Sequence, residues 1–129
     1  MDFTKTILRE KTFKFSEISG NADDTGEITL IHSESCPAFV NDRVKILNDE
    51  KLTQEKRQDK IIESAIKNLV KGWSGLTYKE KPVKCNDKNR KELAKNTAFV
   101  GLVFGIAFNQ KFFADDIELD IDFEEVEKN

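Results

Sequence analysis

Thr53-Gln54-Glu55-Lys56-Arg57-Gln58-Asp59-Lys60-Ile61-Ile62-Glu63-Ser64-Ala65-Ile66-Lys67-Asn68-Leu69-Val70-Lys71-Gly72-Trp73 carries the clearest periodic signal in the chain. Ile61, Ile62, Ala65, Ile66, Leu69, Val70 and Trp73 recur at steps of three and four, which gathers them on one broad face of a 3.6-residue helix. Lys56, Arg57, Lys60, Glu63, Lys67 and Lys71 lie mostly opposite. Thr53 stands where a side-chain oxygen can accept from the first unpaired N–H groups. Glu55 sits in the first turn, at the positive end of the helix dipole. The spacing predicts a helix over about Thr53–Lys71, ended by Gly72 in a left-handed conformation. A helix with one apolar face needs a second layer to cover it.

Upstream, residues 3–18 are rich in Thr, Phe and Ile, and Phe13 and Phe15 stand two apart between polar residues, as in a half-buried strand. Ser19-Gly20-Asn21-Ala22-Asp23-Asp24-Thr25-Gly26 holds no bulky apolar side chain and suits a connection. Glu27–His32 is the second strand, with Ile28 and Leu30 on one face. Ser35 before Cys36-Pro37 signals a helix start, and Phe39, Val40, Val44 and Leu47 extend that helix over about Pro37–Leu47.

Downstream, Leu76–Val83 is a short extended excursion in which Pro82 discourages a central strand. Asn86 is placed as the N-cap of a helix containing Leu93 and Ala94. Residues 97–108 are apolar nearly all round. As a helix they measure only about 18 Å against a bilayer core of about 30 Å, so a buried helix is expected. Gly101 and Gly105 share a face and would permit close approach of another helix. Ile117, Leu119, Ile121 and Phe123 alternate with acids, the pattern of an edge strand or of a segment that becomes a strand on binding. The fold class is therefore α+β: an N-terminal β-hairpin followed by a mostly helical body of three to four helices. One domain spans residues 1–114, with the hairpin at about 3–32 and helices at about 37–113. An acidic tail follows at 115–129.

The 129 residues suit one domain, and 35% are charged against a typical value of about 25%. No apolar run reaches membrane-spanning length, and Met1-Asp2-Phe3-Thr4-Lys5 opens no signal peptide, so a cytoplasmic, membrane-free protein is expected. Cys36 and Cys85 can form at most one bridge, which excludes a disulfide-stapled scaffold. The net charge of −3 conceals an asymmetry. Residues 115–129 hold eight acids and one lysine, a net −7, which leaves +4 on residues 1–114. So acidic a tail repels phosphate and argues against a nucleic-acid partner.

Chemistry-bearing patterns are sparse. His32 is the only histidine, no Cys-x-x-Cys or His-Glu-x-x-His spacing exists, and no glycine-rich loop cradles phosphate. Asp23-Asp24-Thr25-Gly26 lacks the ligand spacing of a calcium loop. Neither catalytic residues, nor a cofactor, nor a metal is expected. The aromatic residues say more: ten Phe stand against one Trp and one Tyr. Phe99, Phe104, Phe108, Phe112 and Phe113 fall within fifteen residues, and a small domain struggles to cover such a helix on all sides. Phe99, Leu102, Phe104, Phe108, Phe112 and Phe113 are the candidate partner-binding residues, unless the helix is simply central to the core.

Several segments together resemble the small tail assembly chaperones of long-tailed, siphovirus-like bacteriophages and prophages. They are Asp24-Thr25-Gly26 before Ile28-Thr29-Leu30, Ser35-Cys36-Pro37-Ala38, Leu69-Val70-Lys71-Gly72-Trp73-Ser74-Gly75-Leu76, Lys81–Asn89, and the closing Phe112-Phe113. The signature within them is Gly72-Trp73, then Gly75-Leu76. In physical terms Gly72 stops a helix, Trp73 drops onto the core and Gly75 turns the chain. The resemblance implies a non-enzymatic protein of the host cytoplasm, absent from the mature virion. It would bind and solubilise the tape-measure protein, promote tail-tube assembly by contact with tail-tube protein, and self-associate as a homo-oligomer. The alternative is a structural or completion component of the phage tail. A DNA-binding role through Lys56, Arg57, Lys60, Lys67 and Lys71 is the less favoured third reading.

Overall fold

β2 (Glu27–Ile31) is the strand around which the chain assembles, because Ile28 and Leu30 alternate with polar residues and both are fully buried. The computed structural model describes residues 9–116. β1 (Glu10–Lys14) pairs antiparallel with β2, setting Phe13 opposite Ile28 and Thr12 opposite Thr29. Between them the chain makes one short helix, α1 (Phe15–Ser19), closed by Gly20 at φ 76°. Phe15 therefore leaves the strand alternation that its spacing from Phe13 suggested. Its N–H still bonds to the Gly26 carbonyl at 3.1 Å, so the helix is inserted into the hairpin connection without opening it.

α2 (Pro37–Leu47) begins with Pro at its first position, as expected. Its N-cap, however, is Cys36 rather than Ser35. Ser35 ends a 3-10 turn, Ser33–Ser35, where its hydroxyl donates to the His32 carbonyl and accepts the Arg9 N–H, both at 2.9 Å. These two bonds commit the Ser35 hydroxyl to the turn and to Arg9, and α2 has no side-chain cap.

α3 (Gln54–Leu69) is capped by Thr53 and buries Ala65, Ile66 and Leu69 completely. It does not end at Gly72. Val70 takes extended geometry (φ −93°, ψ 97°), and with no intervening residue the chain becomes β3 (Val70–Ser74). β3 pairs antiparallel with β2, giving the order β1-β2-β3. Leu30 faces Val70 but Thr29 faces Gly72, so Lys71 is the extra residue of a bulge. Gly72 thus lies within a strand and carries no left-handed turn. The period-3.6 pattern ran on through Val70 and Trp73 because a strand entering the same core can present its apolar side chains in helical step for one turn.

β4 (Thr77–Tyr78) and β5 (Lys81–Pro82) form a small exposed hairpin. α4 (Asp87–Leu93) starts at Asn86, whose side chain accepts the Asn89 N–H at 2.8 Å. α5 (Thr97–Ala107) starts likewise at Asn96 and is followed by a 3-10 segment, Gln110–Asp116. The core unites Ile28, Leu30, Phe39, Ile66, Leu69, Val70, Val103 and Phe113, drawn from the sheet, α2, α3, α5 and the last segment. Each such side chain contributes about 1.5–3 kcal/mol by leaving water. An α+β fold with an N-terminal hairpin and a mostly helical body is what results. The expected strand over residues 3–8 and the alternating segment 117–123 lie outside the described residues.

Candidate functional site

α5 has eleven residues and no charge, so its orientation decides which apolar side chains meet the core. Phe99, Val103, Ile106 and Ala107 turn inward. Phe99 packs edge-on to Trp73, with ring centroids 6.3 Å apart at 71°. Phe104 and Phe108, one turn apart, stack with centroids 4.6 Å apart at 17°, and Phe39 of α2 meets Phe108 edge-on at 5.5 Å. Phe104 is half-buried, while Phe108 remains 36% exposed.

The last segment parts its two rings. Phe113 is fully buried, edge-on to Phe13 at 5.8 Å and tilted over the His32 ring at 5.3 Å. Phe112 meets the same Phe13 at 6.2 Å but stays 38% exposed. Phe99 and Phe113 are therefore core residues and offer a partner no surface. The candidate face narrows to Phe104, Phe108 and Phe112, with Leu102 half-buried. Exposed apolar side chains also stand on α2, where Val44 and Leu47 lie three apart.

The glycine pair of α5 departs from expectation. A Cβ on Gly101 or Gly105 would meet nothing within 4 Å, and both residues are exposed. Among the described residues no helix uses that face for close approach.

The signature residues hold the sheet's far end. Gly75 (φ 72°) and Gly26 (φ 97°) press backbone to backbone. A Cβ on Gly75 would come 2.7 Å from the Gly26 Cα, and one on Gly26 would strike the Ser74 carbonyl. Two segments distant in sequence, Asp24-Thr25-Gly26 and Gly72–Gly75, thus form a single corner. Trp73 donates its indole N–H to the Val83 carbonyl at 2.8 Å, and the Val83 N–H returns to the Leu76 carbonyl. Leu76 is half-buried against the core.

Arg90, which no spacing in the sequence singles out, covers the outer edge of β3. Its guanidinium donates to the carbonyls of Val70 (3.0 Å) and Lys71 (2.9 Å) and lies over the Trp73 ring. Only an unpaired β-edge calls for such a residue, and β3 itself was hidden within a helical pattern.

His32 is buried, and loss of hydration pushes its pKa below the ordinary value of 6.5. The Arg9 charge adds to that shift and Glu34 opposes it. Glu34 is held below the usual carboxylate range, chiefly by the hydrogen bond from Arg43 at 3.0 Å. Cys36 is buried with its thiol toward the Asn68 carbonyl, Cys85 is exposed beside Arg90, and both are free. Among the described residues no group of three His, Cys, Asp or Glu is placed to hold a metal ion, and no helix is long and apolar enough to cross a membrane. What the arrangement can do is offer aromatic surface to an apolar partner. No family model matches the chain, and neither does any curated protein or solved structure.

Proposed function

We propose that the chain is a non-enzymatic tail assembly chaperone of a long-tailed bacteriophage. It binds and solubilises the tape-measure protein and promotes tail-tube assembly in the host cytoplasm, and it does not remain in the mature virion. One observation supports the reading: Phe108, stacked on half-buried Phe104 at the end of the uncharged α5, and Phe112 in the segment after it each leave more than a third of their surface open to solvent. Rings in this arrangement accept the apolar stripe of an amphipathic partner helix. Self-association into a homo-oligomer repeats the face and raises avidity for a long helical partner.

Co-expression with the tape-measure protein of the same genome tests the proposal. The expected result is a partner that is insoluble alone but soluble and co-purified with this chain. The double variant Phe108→Ser/Phe112→Ser should abolish rescue while leaving the far-UV CD unchanged. A wild-type chain that neither binds nor rescues would overturn the proposal. Recovery of the chain from purified particles at fixed copy number would replace it with a structural or completion role.

A further inference from the structure

α3 packs against both α2 and α4, and the three helices border an open groove of about 830 Å3. Each contributes one face. α3 supplies Lys60, Glu63, Ser64 and Lys67 at steps of three and four. α2 adds Asp42, Lys45 and Ile46, α4 adds Asp87, Arg90 and Lys91, and the residues just after α4 add Ala94 and Lys95.

The carboxylates here are mostly engaged. Asp42 accepts from the Ser64 hydroxyl at 2.8 Å and from the Asn68 amide at 3.3 Å, and Asp87 pairs with Arg90 at 3.2 Å. Arg90 is committed to the β3 carbonyls. Lys45, Lys60, Lys67, Lys91 and Lys95 form no ion pair among the described residues. Six cations, these five lysines and Arg90, stand around the concavity against three carboxylates, Asp42, Glu63 and Asp87, and the net positive field is focused into it. An anion bound there relieves that field.

We infer that this groove binds an acidic, extended polypeptide segment, namely residues 117–129 of the same chain, through lysine–carboxylate pairs. That segment holds Glu118, Asp120, Asp122, Glu124, Glu125 and Glu127 against one lysine. Acids two apart in an extended peptide stand about 6.8 Å from one another. Lys60 and Lys67 lie two helical turns apart, about 10.5 Å, a mismatch that flexible lysine stems absorb. Eleven extended residues reach roughly 36 Å, comparable with the diameter of a fold whose radius of gyration is about 13 Å. A tethered ligand acts at an effective concentration of about a millimolar, which places it ahead of free polyanions. Glu63 in the groove further disfavours a continuous phosphate backbone. The inference stands on the lysines and the segment's charge and is independent of the chaperone proposal.

Zero-length carbodiimide cross-linking of the full chain at low salt, read by mass spectrometry, tests it. Amide bonds are expected between the tail acids and Lys45, Lys60, Lys67, Lys91 or Lys95, with Lys56 and Lys84, exposed outside the groove, as comparison. Mixing isotope-labelled and unlabelled protein separates pairing within one chain, the expected result, from pairing only between copies, which would overturn the inference. Lys60→Gln/Lys67→Gln/Lys91→Gln should lower the yield at the remaining groove lysines about fivefold, as should salt of about 0.5 M, with CD unchanged. Cross-links confined to Lys11 and Lys14 of β1 would overturn the inference. So would yields that track exposure across all lysines, or protection of the groove lysines by short duplex DNA with the acidic segment intact.

Discussion

Both α3 and α5 open on a side-chain cap. Thr53 Oγ1 accepts the Lys56 N–H at 3.1 Å, and Asn96 Oδ1 accepts the Phe99 N–H at 3.0 Å. Their inner faces are also alike, Ala65, Ile66 and Leu69 against Val103, Ile106 and Ala107. The outer faces differ. α3 shows water Glu55, Lys56, Lys60, Glu63 and Lys67, whereas α5 shows Thr97, Ala98, Gly101 and Gly105. Charged residues on an exposed helix face favour solubility and oppose association; small uncharged ones do neither. The core thus explains both helices from within, and only α3 is explained from without.

Substitutions at the inner positions should be the most severe. Leu69→Ala on α3 is expected to cost about 2–5 kcal/mol and Phe113→Ala, beyond α5, about 3–5 kcal/mol in urea unfolding, because each empties a fully buried site. A loss under about 1 kcal/mol for Phe113→Ala would show that the last segment is not docked.

The outer positions sharpen the contrast. Gly101→Ala and Gly105→Ala should each stabilise the isolated chain by about 0.8–1 kcal/mol, since the added methyl meets nothing and glycine is costly within a helix. If a partner or second copy packs on this face, the same substitutions should weaken that association in sedimentation velocity or pull-down. Stabilisation with undiminished binding would show that the glycine face has no partner.

Cap removal is next in size. Thr53→Ala and Asn96→Ala should each lose about 1 kcal/mol, because each cap satisfies one otherwise unpaired N–H. Leu47→Ser on α2 should stay within about 0.5 kcal/mol.

The gentlest effect is on pH. The folded His32 pKa lies below its unfolded value, so the unfolded chain binds the proton more readily. The stability this histidine contributes is therefore full above about pH 6.5 and falls as the pH drops through the folded value. His32→Gln should flatten that slope, as followed by urea midpoints across the window. An unchanged slope would show that His32 does not carry the pH dependence in this window.

Helix starts were legible in sequence because capping is local: Thr53, Asn86 and Pro37 each act within a few residues of themselves. β2 was legible because Ile28 and Leu30 alternate cleanly. β3 was not, since Val70 and Trp73 satisfy a helical period as well as a strand's, and only pairing with β2 arbitrates. The aromatic cluster was visible in composition. Which rings face outward was not, because Phe112 and Phe113 are neighbours and a 3-10 segment, not a motif, sends them to opposite environments. The groove lysines are scattered from Lys45 to Lys95, and only the packing of three helices assembles them.

The direct passage from Leu69 to Val70 has a consequence for how this gene can vary. One residue inserted on the helical side turns everything before it by 100°, and one inserted on the strand side reverses every later side chain across the sheet. No loop stands between the two elements to absorb either error, and the bulge at Lys71 already takes up one extra residue. Length variation should be tolerated at the β4–β5 hairpin and excluded at this junction. By the same coupling, the amides of the last turn of α3 and of β3 should exchange with deuterium as one cooperative unit.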